Sequence, residues 1–261
     1  MNLGLKNKIA VVCGSTQGIG KASAIELSKL GATVVLVARN EEKLKASLLE
    51  LDSSNDQKHS YIVADFSKPS DLEVTINEWA GKHKVHILIN NTGGPKGGPI
   101  RNASVSEFLE AFNQHLICNH IMVQALYPIM KEEGYGRIIN VISTSVKQPL
   151  ANLGVSNTIR GAVASWSKTL ANELGQFNIT VNNVLPGATN TDRLQILAQI
   201  KSDQINESVE TIFEEMASES PMNRIAQPEE IAAAIAFLAS PAAGYINGIN
   251  VPVDGGRTKS L

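Results

Sequence analysis

The chain has 261 residues, 43% of them hydrophobic, with a formal charge of −2 and a sequence pI near 6.2. That size and composition suit one well-packed α/β domain over 1–261, and the near-neutral balance speaks against a nucleic-acid binder, whose footprint is basic. No apolar run approaches a membrane span, and Cys13 and Cys118, far apart with no Cys-x-x-Cys or Cys/His cluster, fit a reducing cytoplasm without structural zinc.

In chain order, the start "MNLGLKNKIAVVCG" runs into a glycine turn with no secretory segment before it. Short runs rich in Val and Ile then alternate with longer amphipathic stretches. The predicted strands are 8–14, 33–38, 59–65, 85–90, 136–143, 179–186 and 249–256. The predicted helices are 18–30, 41–51, 69–82, 104–133, 154–175 and 228–240. Several strands are almost continuously apolar, as strands covered on both faces are. The alternation implies βαβ units and a doubly wound, Rossmann-type parallel sheet of about seven strands with helices on both faces. Residues 189–222 break the pattern. They are polar and helix-prone after a late strand, where an insertion makes a lid over the ligand crevice.

The first unit, "VVCGSTQGIGKASAIELSKLGATVVLV", carries Gly14, Gly18 and Gly20 between a strand and a helix. Gly14 allows the tight turn, Gly18 lets backbone approach a diphosphate, and Gly20 lets the helix lie close to the sheet. With Ser15, Thr16 and Ile19 they form a dinucleotide cradle at a helix N-terminus. The second strand ends in "VARN", where an acid would bond the adenosine ribose 2′-OH. Arg39 can instead fork onto a 2′-phosphate, so NADP(H) is favoured over NAD(H). An exposed arginine at a strand end is the plain alternative.

Together with "VADF" at 63–66, "NNTGG" at 90–94, "GRIINVIS" at 136–143, "LPGATNT" at 185–191, "PMNRIAQPEEIAAAIAFLAS" at 221–240 and "GYINGINVPVDGG" at 244–256, this chain resembles the short-chain dehydrogenase/reductase family. The nearest flavour is that of 3-oxoacyl-acyl-carrier-protein reductases. The resemblance implies that Asp65 holds the adenine amino group beside Phe66, and that Asn90 pins the central strands. It implies that Pro186, Gly187, Thr189 and Thr191 frame the nicotinamide. It also implies a homodimer or homotetramer built on the helix at 154–175 and the one before it.

The family's catalytic residues are Asn, Ser, Tyr and Lys. Matching by spacing retains Ser143 and puts Ser156 in place of the tyrosine, Arg160 in place of the lysine and His115 in place of the asparagine. No tyrosine lies near 156 to replace the lost phenol. Arg160 can still fork to ribose hydroxyls. Ser156 is a poorer acid than a phenol and falls short by roughly a ring's length, a space that a water can fill. His115 has an unperturbed pKa of about 6.5 and is a candidate proton carrier, or else a packed helix histidine. Thr92, where the family has alanine, and the glycine- and proline-rich loop 93–99 are further departures.

The sequence therefore points to a cytoplasmic NADP(H)-dependent oxidoreductase acting on a small carbonyl compound or secondary alcohol, with an atypical proton path through Ser143, a water or His115. The competing expectation is a non-catalytic NADP(H)-binding sensor or assembly protein on the same fold, and a lyase or isomerase stays open.

Overall fold

The computed structural model describes residues 1–260. Seven parallel strands form one sheet in the order β3-β2-β1-β4-β5-β6-β7. They are β1 (Ile9–Cys13), β2 (Thr33–Ala38), β3 (Ser60–Val63), β4 (Ile87–Asn90), β5 (Gly136–Val141), β6 (Ile179–Pro186) and β7 (Asn250–Val253). Each matches a predicted strand: β2 and β6 keep the predicted bounds, and the other five are shorter.

Side-chain alternation along the central strands divides the core in two. On one face Ala10, Val12, Leu36, Ile89 and Val184 pack under α1 (Gly18–Lys29), α2 (Glu41–Leu48) and α9 (Pro228–Ala239). On the other, Val11, Cys13, Val37, Leu88 and Ile138 pack under α3 (Pro69–Ala80), α5 (Cys118–Glu132) and α6 (Gly154–Leu174). Leu27, Leu36, Leu44, Ile76, Leu88 and Met122 are fully buried, and each such side chain is worth about 1.5–3 kcal/mol in transfer from water.

One predicted helix is three elements. Within 104–133, α4 (Val105–Phe112) is joined to α5 by a π turn over Asn113–Ile117. The apolar spacing continues across the junction, so sequence periodicity hides it. Residues 189–222, the expected lid, hold α7 (Asp192–Ile205), capped by the Thr191 hydroxyl, and α8 (Val209–Ser218), capped by Ser208. No helix among the described residues is long and apolar enough to cross a membrane, and none of their His, Cys, Asp and Glu residues gather as a metal site.

A row of amides ties the sheet together just below its carboxyl edge. Asn90, Asn140, Asn183 and Asn250 lie at facing positions on β4, β5, β6 and β7. Asn90 Nδ2 donates to Asn140 Oδ1 at 2.8 Å, Asn140 Nδ2 to Asn183 Oδ1 at 3.0 Å, and Asn183 Nδ2 to Asn250 Oδ1 at 2.8 Å. Ser167 of α6 joins this row at 2.8 Å from Asn183 Oδ1. Buried amides need partners, and here each supplies the next.

Candidate active site

The strand tips open into a cleft of about 660 Å³. The strand order reverses between β1 and β4, so the cleft lies at the switch point where open α/β sheets bind ligands. The glycine turn forms its floor. Gly14 has φ +59° and Gly18 φ +53°, conformations that other residues adopt only under strain. Gly20 is needed for a different reason. A Cβ there would stand 2.2 Å from the Gly14 carbonyl oxygen and 2.6 Å from Asn91 Nδ2.

Gly14, Thr16, Gly18, Ile19, Arg39, Asp65, Phe66, Ser143, Ser156, Arg160, Pro186, Gly187, Thr189 and Thr191 all line this one cleft. Four other predicted site residues lie behind its wall. Ser15 is fully buried and donates to the Val37 carbonyl at 3.4 Å. Gly20 is packing space, and Asn90 belongs to the amide row, with its Oδ1 left without a partner. His115 is fully buried in the π turn.

At the adenosine end, Arg39 follows β2 and is exposed, with Lys43 beside it on the first turn of α2. Asp65 follows β3. Its Oδ1 accepts from the Ser67 backbone N–H at 2.9 Å and from the Ser67 hydroxyl at 2.8 Å, which hold its carboxyl below the usual range.

The other end centres on β5. Ser143 Oγ accepts from the Ser145 backbone N–H at 3.1 Å, so its own proton is free to donate into the cleft. Ser156, on the first turn of α6, is half-buried on the cleft wall. One turn on, Arg160 is 7% exposed, and its Nη1 donates to the Val141 carbonyl at 3.2 Å. Burial pushes its pKa down to about 10, and the Arg193 charge adds to the shift.

Thr92 and His115, both expected from the sequence to be departures, share one hydrogen bond: Thr92 Oγ1 and His115 Nδ1 are 2.5 Å apart. The other ring nitrogen, Nε2, is buried without a partner. Burial, then the Arg160 and Arg193 charges, hold the His115 pKa well below 6.5. The imidazole is therefore neutral at neutral pH, which corrects the sequence expectation of a group titrating there. It reaches the cleft through Thr92, which lines it.

Sequence reasoning missed Arg193 and Lys43, both on the cleft wall. Arg193 Nη2 donates to the Pro95 carbonyl and so ties the start of α7 to the loop at 93–99. That loop is anchored again where Gly98 N donates to the Asn152 carbonyl at 2.7 Å and the Gly98 carbonyl accepts from Gly154 N at 3.2 Å. It is thus a built wall of the entrance. The available signals were an arginine two residues past Thr191 and a lysine four past Arg39.

A family model described as enoyl-(acyl carrier protein) reductase matches residues 14–258, from the glycine turn to the chain's last residues. The chain belongs to the short-chain dehydrogenase/reductase family. Its relatives in that family include the NADPH-dependent reductase BacG of Bacillus subtilis, 29% identical over 98% of this chain and all of that one. They also include the 3-oxoacyl-[acyl-carrier-protein] reductase FabG of Pseudomonas aeruginosa, 30% identical over 99% of this chain and all of that protein. Among solved structures, L-sorbose reductase from Gluconobacter frateurii, complexed with NADPH and L-sorbose, superposes with a TM-score of 0.92 at 30% identity, covering both chains in full.

Proposed function

We propose that this chain is a cytoplasmic NADP(H)-dependent oxidoreductase that interconverts a small carbonyl compound and its alcohol without a tyrosine proton donor. The observation that carries this reading is the single cleft. A glycine cradle and an arginine–lysine pair lie at one side of it, and Ser143 with two arginines lies at the other.

The residues fit the cofactor. A Cβ on Gly18 would stand 3.0 Å from the Thr191 methyl, so glycine keeps open the gap that a diphosphate needs between turn and lid. Arg39 and Lys43 would hold the 2′-phosphate, a group that NADH lacks. Asp65 and Phe66 would receive the adenine, and Pro186, Gly187, Thr189 and Thr191 the nicotinamide. NADPH, when bound, supplies hydride.

The chain's own residues manage the oxygen. Ser143 donates a hydrogen bond to the carbonyl oxygen and orients it. As negative charge develops there, the fixed positive charge of Arg160 and Arg193 favours it, and burial strengthens that effect. A serine hydroxyl is too weak an acid to be the net donor. The proton comes from solvent, relayed by a water held over Ser156, in the space that a phenol ring would occupy; that water gives one proton to the carbonyl oxygen and takes another from the water behind it. His115, neutral and bonded to Thr92, orients the Thr92 hydroxyl on the cleft wall, and its buried Nε2 has no partner to hand a proton to. Arg160 keeps its charge throughout and grips the ribose hydroxyls.

NADPH fluorescence on titration tests binding, and NADPH oxidation over a panel of ketones and 3-oxoacyl compounds tests turnover. Saturable binding with turnover of at least one compound is expected. Tight binding with no turnover of any, and activity gained on Ser156→Tyr with Arg160→Lys, would instead make the chain a nucleotide sensor.

A further inference from the structure

Arg160 and Arg193 face the same end of the cleft with no acid among the described residues to match them. Neither makes an ion pair among the described residues, and Asp192, the chain neighbour of Arg193, makes none with it. Among the described residues, Asp65 is the one acid on the cleft wall. It follows β3, whereas the Arg160 guanidinium is bonded at the tip of β5. Those tips are four strand spacings apart, about 19 Å.

Each of the two arginines donates to one backbone carbonyl, Val141 for Arg160 and Pro95 for Arg193, out of five N–H groups. Arg137 is buried elsewhere in this fold, with its Nε left without a partner. Its Nη1 donates to two carbonyls, Gly136 and Asn178, and its guanidinium lies 4.2 Å from the centre of the Tyr135 ring. Nothing comparable covers Arg160 and Arg193. Burial lowers the pKa of both, and both stay charged at neutral pH.

Two neighbouring cations on a partly dry wall repel each other and favour an anion between them. On the reading above, the cofactor does not supply one at this end. Its phosphates go to the glycine turn and to Arg39 and Lys43, and a ribose hydroxyl on Arg160 is neutral. This end also carries the Ser143 and Ser156 hydroxyls and an apolar group of Leu153, Leu194 and Leu197.

We propose that Arg193 receives a carboxylate, with the charge of Arg160 beside it assisting while Arg160 holds the ribose, so that the substrate is a small oxo acid whose apolar tail lies against the three leucines. The inference rests on the reductase reading and names its substrate class. Guanidinium groups match the planar, bidentate geometry of a carboxylate. The carbonyl carbon takes hydride from NADPH, its oxygen takes a proton, and a hydroxy acid leaves with NADP⁺. The carboxylate is unchanged.

The test compares acetoacetate, levulinate and ketoleucine, each against its methyl ester, on the NADPH-loaded protein. Affinity is read by calorimetry, and turnover by NADPH oxidation. For at least one pair, the acid is expected to bind ten-fold or more tighter than the ester, about the worth of one charge-assisted hydrogen bond. In Arg193→Gln that ratio should fall toward unity, and in Arg193→Lys part of it should remain. The wild-type ratio needs no variant to fold.

Equal binding of acid and ester in all three pairs overturns the proposal. So does an Arg193→Gln protein that loses NADPH affinity while keeping the ratio, because the arginine then serves the cofactor. Inorganic phosphate displacing the acids at lower concentration than they bind also overturns it, in favour of a phosphorylated substrate. If NADPH itself fails to bind, the reductase reading falls separately. The same acid-to-ester ratios, measured by calorimetry without nucleotide, then decide the anion site.

Discussion

At Arg39 one side chain is proposed to set which nucleotide the cleft prefers. A guanidinium–phosphate contact is worth about 1.5–3 kcal/mol, so Arg39→Asp should weaken NADPH at least ten-fold and bring NADH to parity or better in fluorescence titrations. His115 links stability to pH. Its native pKa lies well below the unfolded value near 6.5, so below that pH the unfolded chain binds a proton that the native chain refuses. The stabilisation is complete above about pH 6.5 and is lost as pH falls. His86, lowered mainly by burial, acts in the same sense. Urea midpoints should therefore drop between pH 7.5 and pH 5.5, and the drop should shrink in His115→Gln. Thr92→Val leaves His115 Nδ1 buried without its partner, and about 1–3 kcal/mol of stability should go with it.

Among the elements, the glycine turn and the amide row carry the site. Gly20→Ala forces a methyl against the Gly14 carbonyl and should cost about 1–3 kcal/mol, with NADPH quenching lost as the turn shifts. Much of this was legible in the sequence. The strands announced themselves as unbroken Val and Ile runs, and the glycine spacing meant something because it sat between a strand and a helix. Arg39, Asp65, Ser143, Ser156 and Arg160 fell into one cleft because each follows a parallel strand or begins a helix at its carboxyl edge. The π turn was not legible. Inserting one residue into a helix leaves a local apolar pattern that still reads as helical on both sides. Arg193 was not legible either, because its role comes from a contact with Pro95 that lies 98 residues away in sequence. The Thr92–His115 pair was visible only as two separate oddities, since adjacency across the cleft wall is a property of the fold.

For the whole molecule, the expectation of a homo-oligomer has a physical place to act. Val105, Leu109 and Phe112 form an exposed apolar stripe on α4, at 75%, 59% and 39% exposure. Spaced by four and three residues, they share one helix face. Leu109→Glu should therefore shift sedimentation velocity toward a smaller species, with far-UV circular dichroism unchanged. A protein that sediments as a monomer before the substitution would remove that expectation.

The bond from Arg193 to the Pro95 carbonyl also bears on motion at the entrance. It joins the start of α7 to the loop at 93–99 through the same side chain that is proposed to meet the incoming acid. One N–H group holds Pro95, and others remain for the carboxylate. On that proposal an acid in its seat stiffens the mouth it has just passed, and its departure loosens it.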